Sequence, residues 1–168
     1  ARSGVFPQSL HPALKEYLFQ GEIKKLYSHQ LEAIEFLEKG ANLLTATPTA
    51  SGKSMVYNLP VINSILEDAS SSALYLFPLK ALAQDQFKTL CQVENFLSEN
   101  GMGINSRLAA VYDGDTTQYQ RKKIREQLPR ILITNPDMLH LSILPYHQNW
   151  IELFKNLKFV VLDEVHTY

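Results

Sequence analysis

Two short groups of residues in this chain could do chemistry together: Gly52-Lys53-Ser54, which closes the stretch "ATPTASGKS", and Asp163-Glu164, which sits inside "FVVLDEVH". A glycine lets backbone N–H groups approach an anion, a lysine ammonium reaches the β and γ phosphates, and a following serine hydroxyl ligates magnesium. An acid delivered by an apolar strand can hold the same ion through water, and a second carboxylate beside it can orient or deprotonate the attacking water. Lys53 and Ser54 are therefore assigned to phosphate and Mg2+, Asp163 to the metal, and Glu164 to the water. The strict phosphate-loop pattern is not met, because Thr47 stands where its first glycine belongs. Taken singly, a small-residue turn is an ordinary helix start and an acid pair an ordinary cap. Together they favour a nucleotide site.

Such a site needs an apolar strand before each group and a helix after the first. The runs "ANLLTAT", "SALYLFP", "RLAAVYD", "RILITN" and "KFVVLDE" have the length and β-branched or aromatic content of buried strands. Between them lie "HQLEAIEFLEKG", "GKSMVYNLPVINSILED", "KALAQDQFKTLCQVENFL" and "TQYQRKKIREQL", with helical spacing of apolar residues. Strands alternating with crossover helices predict an α/β fold, a mostly parallel sheet with helices on both faces, which binds ligands at the carboxyl ends of its strands. The loop Thr47, Pro48, Thr49, Ala50, Ser51, Gly52 then precedes a helix start, where exposed N–H groups and the dipole favour phosphate. Pro60 lies inside that helix and predicts a kink or an early stop. In "YDGDTT", Gly114 is expected to make a sharp bend, with Thr116 or Thr117 capping the next helix.

The bulk numbers set bounds. With 168 residues, 45% hydrophobic and 20% charged, the chain reads as one globular domain without an internal boundary. A formal net charge of −1 leaves any nucleic-acid footprint to local patches. The single Cys91 excludes an internal disulfide framework and a cysteine zinc cluster, and fits a reducing compartment. No apolar run reaches the ~18 residues of a membrane span, and the amino end lacks a signal-peptide layout, so a cytoplasmic or nuclear location is expected, with no membrane partner.

"TPTASGKS" and "DEVH" together resemble motifs I and II of superfamily 2 DExH-box helicases. The resemblance extends through "LYSHQLEAI" (Q motif), "FPLKALAQDQ" (motif Ia) and "ILITNPDMLH" (motif Ib), in the family's order. It implies a RecA-like P-loop NTPase lobe over 1–168 that ends just after motif II, with ATP and Mg2+ as cofactors and a second RecA-like lobe as partner. By resemblance, Gln30 would read the adenine edge, Tyr27 would pack on the base, and His166 would couple the nucleotide to the second lobe. The usual Gly-x-Gly-Lys-Thr is replaced by Ala50-Ser51-Gly52-Lys53-Ser54, whose Ala50 Cβ disfavours a left-handed backbone. "TASGKS", "DEVHTY", "SHQ" and "YDGDT" are most similar to the MrfA-like, RecQ-related DNA-repair helicases.

Single-stranded nucleic acid, DNA by that resemblance, would lie along Pro78, Lys80, Ala81 and Gln84 of motif Ia, Gly114 and Asp115 of the "DGDT" stretch, and Thr134, Asn135, Pro136 and Asp137 of motif Ib. Hydroxyl, amide, ammonium and helix-start N–H groups hold phosphates without reading bases. The same "TNPDML" also reads as a plain helix start, with Asn135 as cap and Pro136 at the first position. Arg121, Lys122, Lys123, Arg125 and Arg130 form the densest positive cluster, which could brush a duplex or flanking strand by screened attraction but reads first as a solvated helix face. Trp150 reads as packing against the sheet. The expected function is an ATP-dependent helicase motor whose isolated lobe binds ATP weakly and hydrolyses negligibly, since phosphate-stabilising arginines come from the second lobe. A double-stranded DNA translocase, an RNA-directed DExH helicase and a silent nucleic-acid-binding scaffold are the alternatives.

Overall fold

The computed structural model describes residues 3–46 and 52–165, which form two compact units divided between Glu67 and Asp68. The sequence shows no composition break at that point.

The first unit opens with a two-residue strand, β1 (Ser3–Gly4), paired antiparallel with β2 (Leu26–Tyr27). Between them runs α1 (Pro12–Gln20), with Pro12 in its first turn and the His11 imidazole accepting from the Ala13 N–H at 3.1 Å. Proline at a helix start costs no hydrogen bond and presets φ. α2 (Ser28–Glu38) follows β2 directly, burying Gln30, Ala33 and Ile34, and packs on α3 (Lys53–Glu67). α3 neither stops at Pro60 nor loses its buried face there: Leu59, Pro60, Val61 and Ile62 are all buried. Burial of these side chains offsets the one backbone bond proline removes. The amide of Asn63, also on α3, accepts from the His11 N–H at 2.6 Å and donates to the Ser9 carbonyl at 3.2 Å.

The second unit carries a four-stranded, all-parallel sheet: β3 (Ser72–Leu76), β4 (Ala109–Val111), β5 (Ile131–Thr134) and β6 (Leu157–Leu162), in the spatial order β4-β5-β3-β6. Every residue of the central strands β3 and β5 is buried, as a parallel sheet covered on both faces requires. Among the described residues β6 lies at an edge and alternates, with Val160 and Leu162 about half exposed. The helices of this unit are α4 (Lys80–Glu99), which packs on β4 and β5, then α5 (Gln118–Glu126), the one-turn α6 (Pro136–Met138) and α7 (Ile151–Lys155). A π-helical turn, Leu139–Ile143, continues α6.

One face of the sheet is built from Leu74, Leu76, Ala110, Tyr112 and Leu132, covered by Ile124 of α5, Ile143, Trp150 and Leu153 of α7. Trp150 meets Tyr112 edge-to-face, centroids 4.9 Å apart, an arrangement the ring quadrupoles prefer. The expected packing role of Trp150 is what this face shows.

Four of the five expected strands are present, somewhat shortened. The fifth, "ANLLTAT", is corrected: residues 41–46 form no strand, and Leu44 is 86% exposed. An apolar run becomes a strand only when a neighbour completes its ladder, and residues 41–46 enter none of the pairings among the described residues.

Candidate nucleotide and nucleic-acid site

In the first unit, Lys53 is the first residue of α3, and Gly52 before it holds φ +71°. That backbone is one L-residues rarely adopt, and a Cβ built on Gly52 would stand 2.6 Å from the Gln30 amide nitrogen. Gln30 cannot easily give way. It is 2% exposed, its Oε1 accepts from the Tyr27 N–H at 2.9 Å, and its Nε2 donates to the Gly52 carbonyl at 3.1 Å. The bond to Tyr27 is the return half of a capping box at the start of α2.

Gln30, expected at an adenine edge, is thus a buried strut between the start of α2 and the residue before Lys53. Tyr27, expected to pack on the base, is 46% exposed, its ring stacked on His29 at 5.7 Å and 11°. Lys53 and Ser54 are half-buried. Thr47, Pro48, Thr49, Ala50 and Ser51, the other loop positions, and His166 lie outside the described residues.

In the second unit, Asp163 and Glu164 directly follow β6, at the carboxyl edge of the sheet. Asp163 is tied to β3 by its N–H, which donates to the Leu76 carbonyl at 3.1 Å, and its Oδ1 accepts from the Glu164 N–H at 3.0 Å. Glu164 sits at φ +51°. A non-glycine residue in the left-handed region costs of order 1 kcal/mol and is characteristic of functional turns. Both carboxylates are half-buried. Among the described residues no cluster of three or more metal-ligating side chains occurs. Magnesium suits such a sparse donor set, since it keeps several waters and is held by one or two carboxylates plus phosphate oxygens.

The strand-binding residues expected from motifs Ia and Ib also lie at that carboxyl edge, after β3 and β5. Ala81 and Gln84 are exposed on α4 and Pro78 is half-buried. Lys80 is already engaged: its Nζ lies 2.6 Å from Asp115 Oδ2, and this bond pushes its ammonium above the ordinary lysine range. Asn135 accepts from the Met138 N–H at 2.8 Å as the cap of α6, with Pro136 at its first position and Asp137 exposed.

Thr134 is corrected. It is 2% exposed and its hydroxyl donates to the Tyr112 carbonyl at 2.6 Å, so it joins β5 to the end of β4 instead of facing a strand. Gly114 is exposed but does not make the bend through a positive φ. Asp113, which sequence reasoning missed, organises it: its Oδ1 accepts from the Asp115 N–H, the Thr116 N–H and the Thr116 hydroxyl, each at 3.0 Å. Thr117 then caps α5, with Gln120 completing a capping box. The "Asp-x-x-Thr" spacing was the available signal, because a short acid before two N–H groups folds its own turn.

A family model for DEAD/DEAH box helicases matches residues 27–168. This chain belongs to the DEAD/DEAH box helicase family. Among DEAD/DEAH relatives it is similar to the uncharacterized ATP-dependent helicase YprA of Bacillus subtilis, 48% identical over 168 residues, covering 100% of this chain and 22% of YprA. It is 43% identical over 152 residues to ATP-dependent helicase HRQ1 of Saccharomyces cerevisiae, covering 90% of this chain and 14% of HRQ1. The crystal structure of the DUF1998 helicase MrfA bound to DNA and AMPPNP matches with a TM-score of 0.92 and 47% identity, over 100% of this chain and 23% of MrfA. The resemblance to MrfA-like helicases and the RecA-like lobe fold expected from the sequence both stand. The chain spans about a fifth of YprA and of MrfA. No helix among the described residues is long and apolar enough to cross a membrane.

Proposed function

We propose that residues 1–168 are the first RecA-like lobe of an ATP-dependent DNA helicase motor acting in DNA repair. The observation that carries this reading is Gly52 held at positive φ against the buried Gln30 amide, directly before Lys53 at the start of a long helix. A backbone so arranged offers N–H groups to phosphate at a helix amino end. On this reading Tyr27 would support the base, Lys53 would bind the β and γ phosphates, and Ser54 and, separately, Asp163 carry the ligand types that Mg2+ takes. Magnesium there supplies charge neutralisation on the phosphates during hydrolysis. Glu164 accepts the proton of the attacking water, the task a carboxylate beside the metal ligand performs.

A second lobe on the same polypeptide is the proposed partner, with the single strand bound across the carboxyl edge by Pro78, Lys80, Gln84, Asn135 and Pro136. The DNA bound to MrfA in its crystal structure supports DNA over RNA as the strand. The single cysteine supports an intracellular location.

The decisive experiment uses the complete polypeptide carrying this lobe: ATP turnover with and without single-stranded DNA, and separation of a tailed duplex. Stimulated turnover with unwinding is expected, and both should be lost in Glu164→Gln while nucleotide binding persists. Turnover without strand separation would favour a double-stranded DNA translocase. Turnover unchanged in Glu164→Gln would favour a scaffold.

A further inference from the structure

The positive cluster on α5 is not absorbed by the reading above, and one side of it is not a flat solvated face. Arg121 and Arg125, one helical turn apart, line a concavity of about 220 Å³ together with Tyr112, Ser142, Tyr146 and Asn149. No carboxylate lines it, so two guanidinium charges face a cleft with no compensating acid. The neighbouring Glu126 pairs with Lys122 instead, at 3.7 Å.

The two arginines are held differently. Arg121 is locked: its Nε donates to the Thr116 carbonyl at 2.9 Å, its Nη2 to the Asp113 carbonyl at 3.0 Å, and its guanidinium lies 5.3 Å from the Tyr112 ring centroid. Arg125 is half-buried, and its one hydrogen bond is a long one, Nη1 to the Tyr112 hydroxyl at 3.4 Å. The rest of its fork has no acceptor among the described residues. A guanidinium fork matches the paired oxygens of a phosphate.

We propose that this cleft binds one backbone phosphate of a nucleic-acid strand, with Arg125 as the anchoring donor and Asn149 and Ser142 completing the lining. The proposal rests on the strand-binding reading given above and extends it. The cavity is smaller than the roughly 300–1,000 Å³ of small-molecule sites, which suits a phosphodiester of a passing polymer better than a whole nucleotide. Tyr146 stands 63% exposed at the rim and offers a ring face to the adjoining base or sugar.

Position agrees with this. Tyr112 follows β4 as Asn135 follows β5 and Pro78 follows β3, so the cleft continues the same carboxyl edge to its outermost strand.

The test measures binding of a fluorescent oligonucleotide by anisotropy at several salt concentrations, using the complete polypeptide with a non-hydrolysable ATP analogue. Arg125→Ala should weaken binding about three- to tenfold at low salt and flatten the log–log salt dependence by about 0.7, the share of one single-strand phosphate. Asn149→Asp, which adds a carboxylate to the lining of the cleft at an exposed position, should weaken binding comparably. Lys88→Ala, removing an exposed lysine of α4, should leave both unchanged. If Arg125→Ala lowers the melting temperature, Asn149→Asp alone decides. Wild-type affinity and salt slope in both cleft variants would overturn the proposal while leaving the helicase reading intact. A wild-type protein that binds no oligonucleotide would sink that reading, and the cleft with it. An effect on single-stranded oligonucleotide places the tracked strand in the cleft. An effect confined to tailed duplex places the flanking duplex there, and either supports phosphodiester binding.

Discussion

The proposed nucleotide residues and the proposed strand residues are built on opposite physical plans. Around Gly52 the machinery is held by buried groups: Gln30 is 2% exposed and bonds at both ends of its amide. Along motif Ia the key cation is exposed, and its partner is a single exposed carboxylate, Asp115. Buried, satisfied hydrogen bonds are costly to break and fix one geometry. Exposed ion pairs are weak, screened by salt and readily exchanged for another anion. A residue that must meet the same triphosphate each cycle suits the first plan. A residue that must grip and release successive phosphates suits the second.

The largest effect that would break this comparison is expected at Glu164. Glu164→Gln in the complete polypeptide should lower ATP turnover about 10²- to 10⁴-fold with nucleotide affinity retained, as measured by steady-state hydrolysis and calorimetry. Next comes Asp113, the buried organiser of the loop before α5. Asp113→Ala should cost about 1–3 kcal/mol in urea unfolding, because three donors lose a common acceptor. Gly114→Ala, with open space at its Cβ, should stay within about 0.5 kcal/mol.

Gly52→Ala sharpens the buried half of the comparison. The positive φ and the Gln30 contact together predict a loss of about 1–2 kcal/mol in stability and weaker nucleotide binding. On the exposed half, Asp115→Ala should free Lys80 and tighten single-strand binding about two- to fivefold at low salt, an advantage that fades at high salt. A loss of binding instead would show Asp115 to be a contact and not a competitor.

The smallest effect concerns Asp68. The Ser70 hydroxyl and then Lys158 hold its carboxyl well below the ordinary range. A depressed pKa stabilises the folded state above the unfolded value of about 3.9 and is lost as pH falls through the folded one. Asp68→Asn should therefore lower the melting temperature slightly at pH 7 and lose that deficit at strongly acid pH.

How far the residues themselves announced this architecture varied along the chain. β3, β5 and their helices were legible because a parallel sheet buried on both faces leaves continuous apolar runs. The caps Thr117 and Asn135 were legible because capping is a local bond between a side chain and N–H groups three residues on. The apolar run 41–46 misled, since strand pairing depends on a partner that local composition does not contain. Gln30 was legible only in part: its motif marks a nucleotide-side glutamine, and the structure adds its bonds to Tyr27 and to Gly52, 22 residues away.

What the sequence alone determined is chemical kind: which residues can meet phosphate, metal and water, and in what order the strands and helices carry them. That information is local, because side-chain chemistry, periodicity and caps act over a few residues. Only the tertiary structure decided which polar groups are already spent, such as the Thr134 hydroxyl and the Lys80 ammonium, and which are met by no more than one long bond among the described residues, such as the Arg125 fork. Burial and partnership are set by residues distant in the chain, and the packing that brings them together is not written in any single stretch.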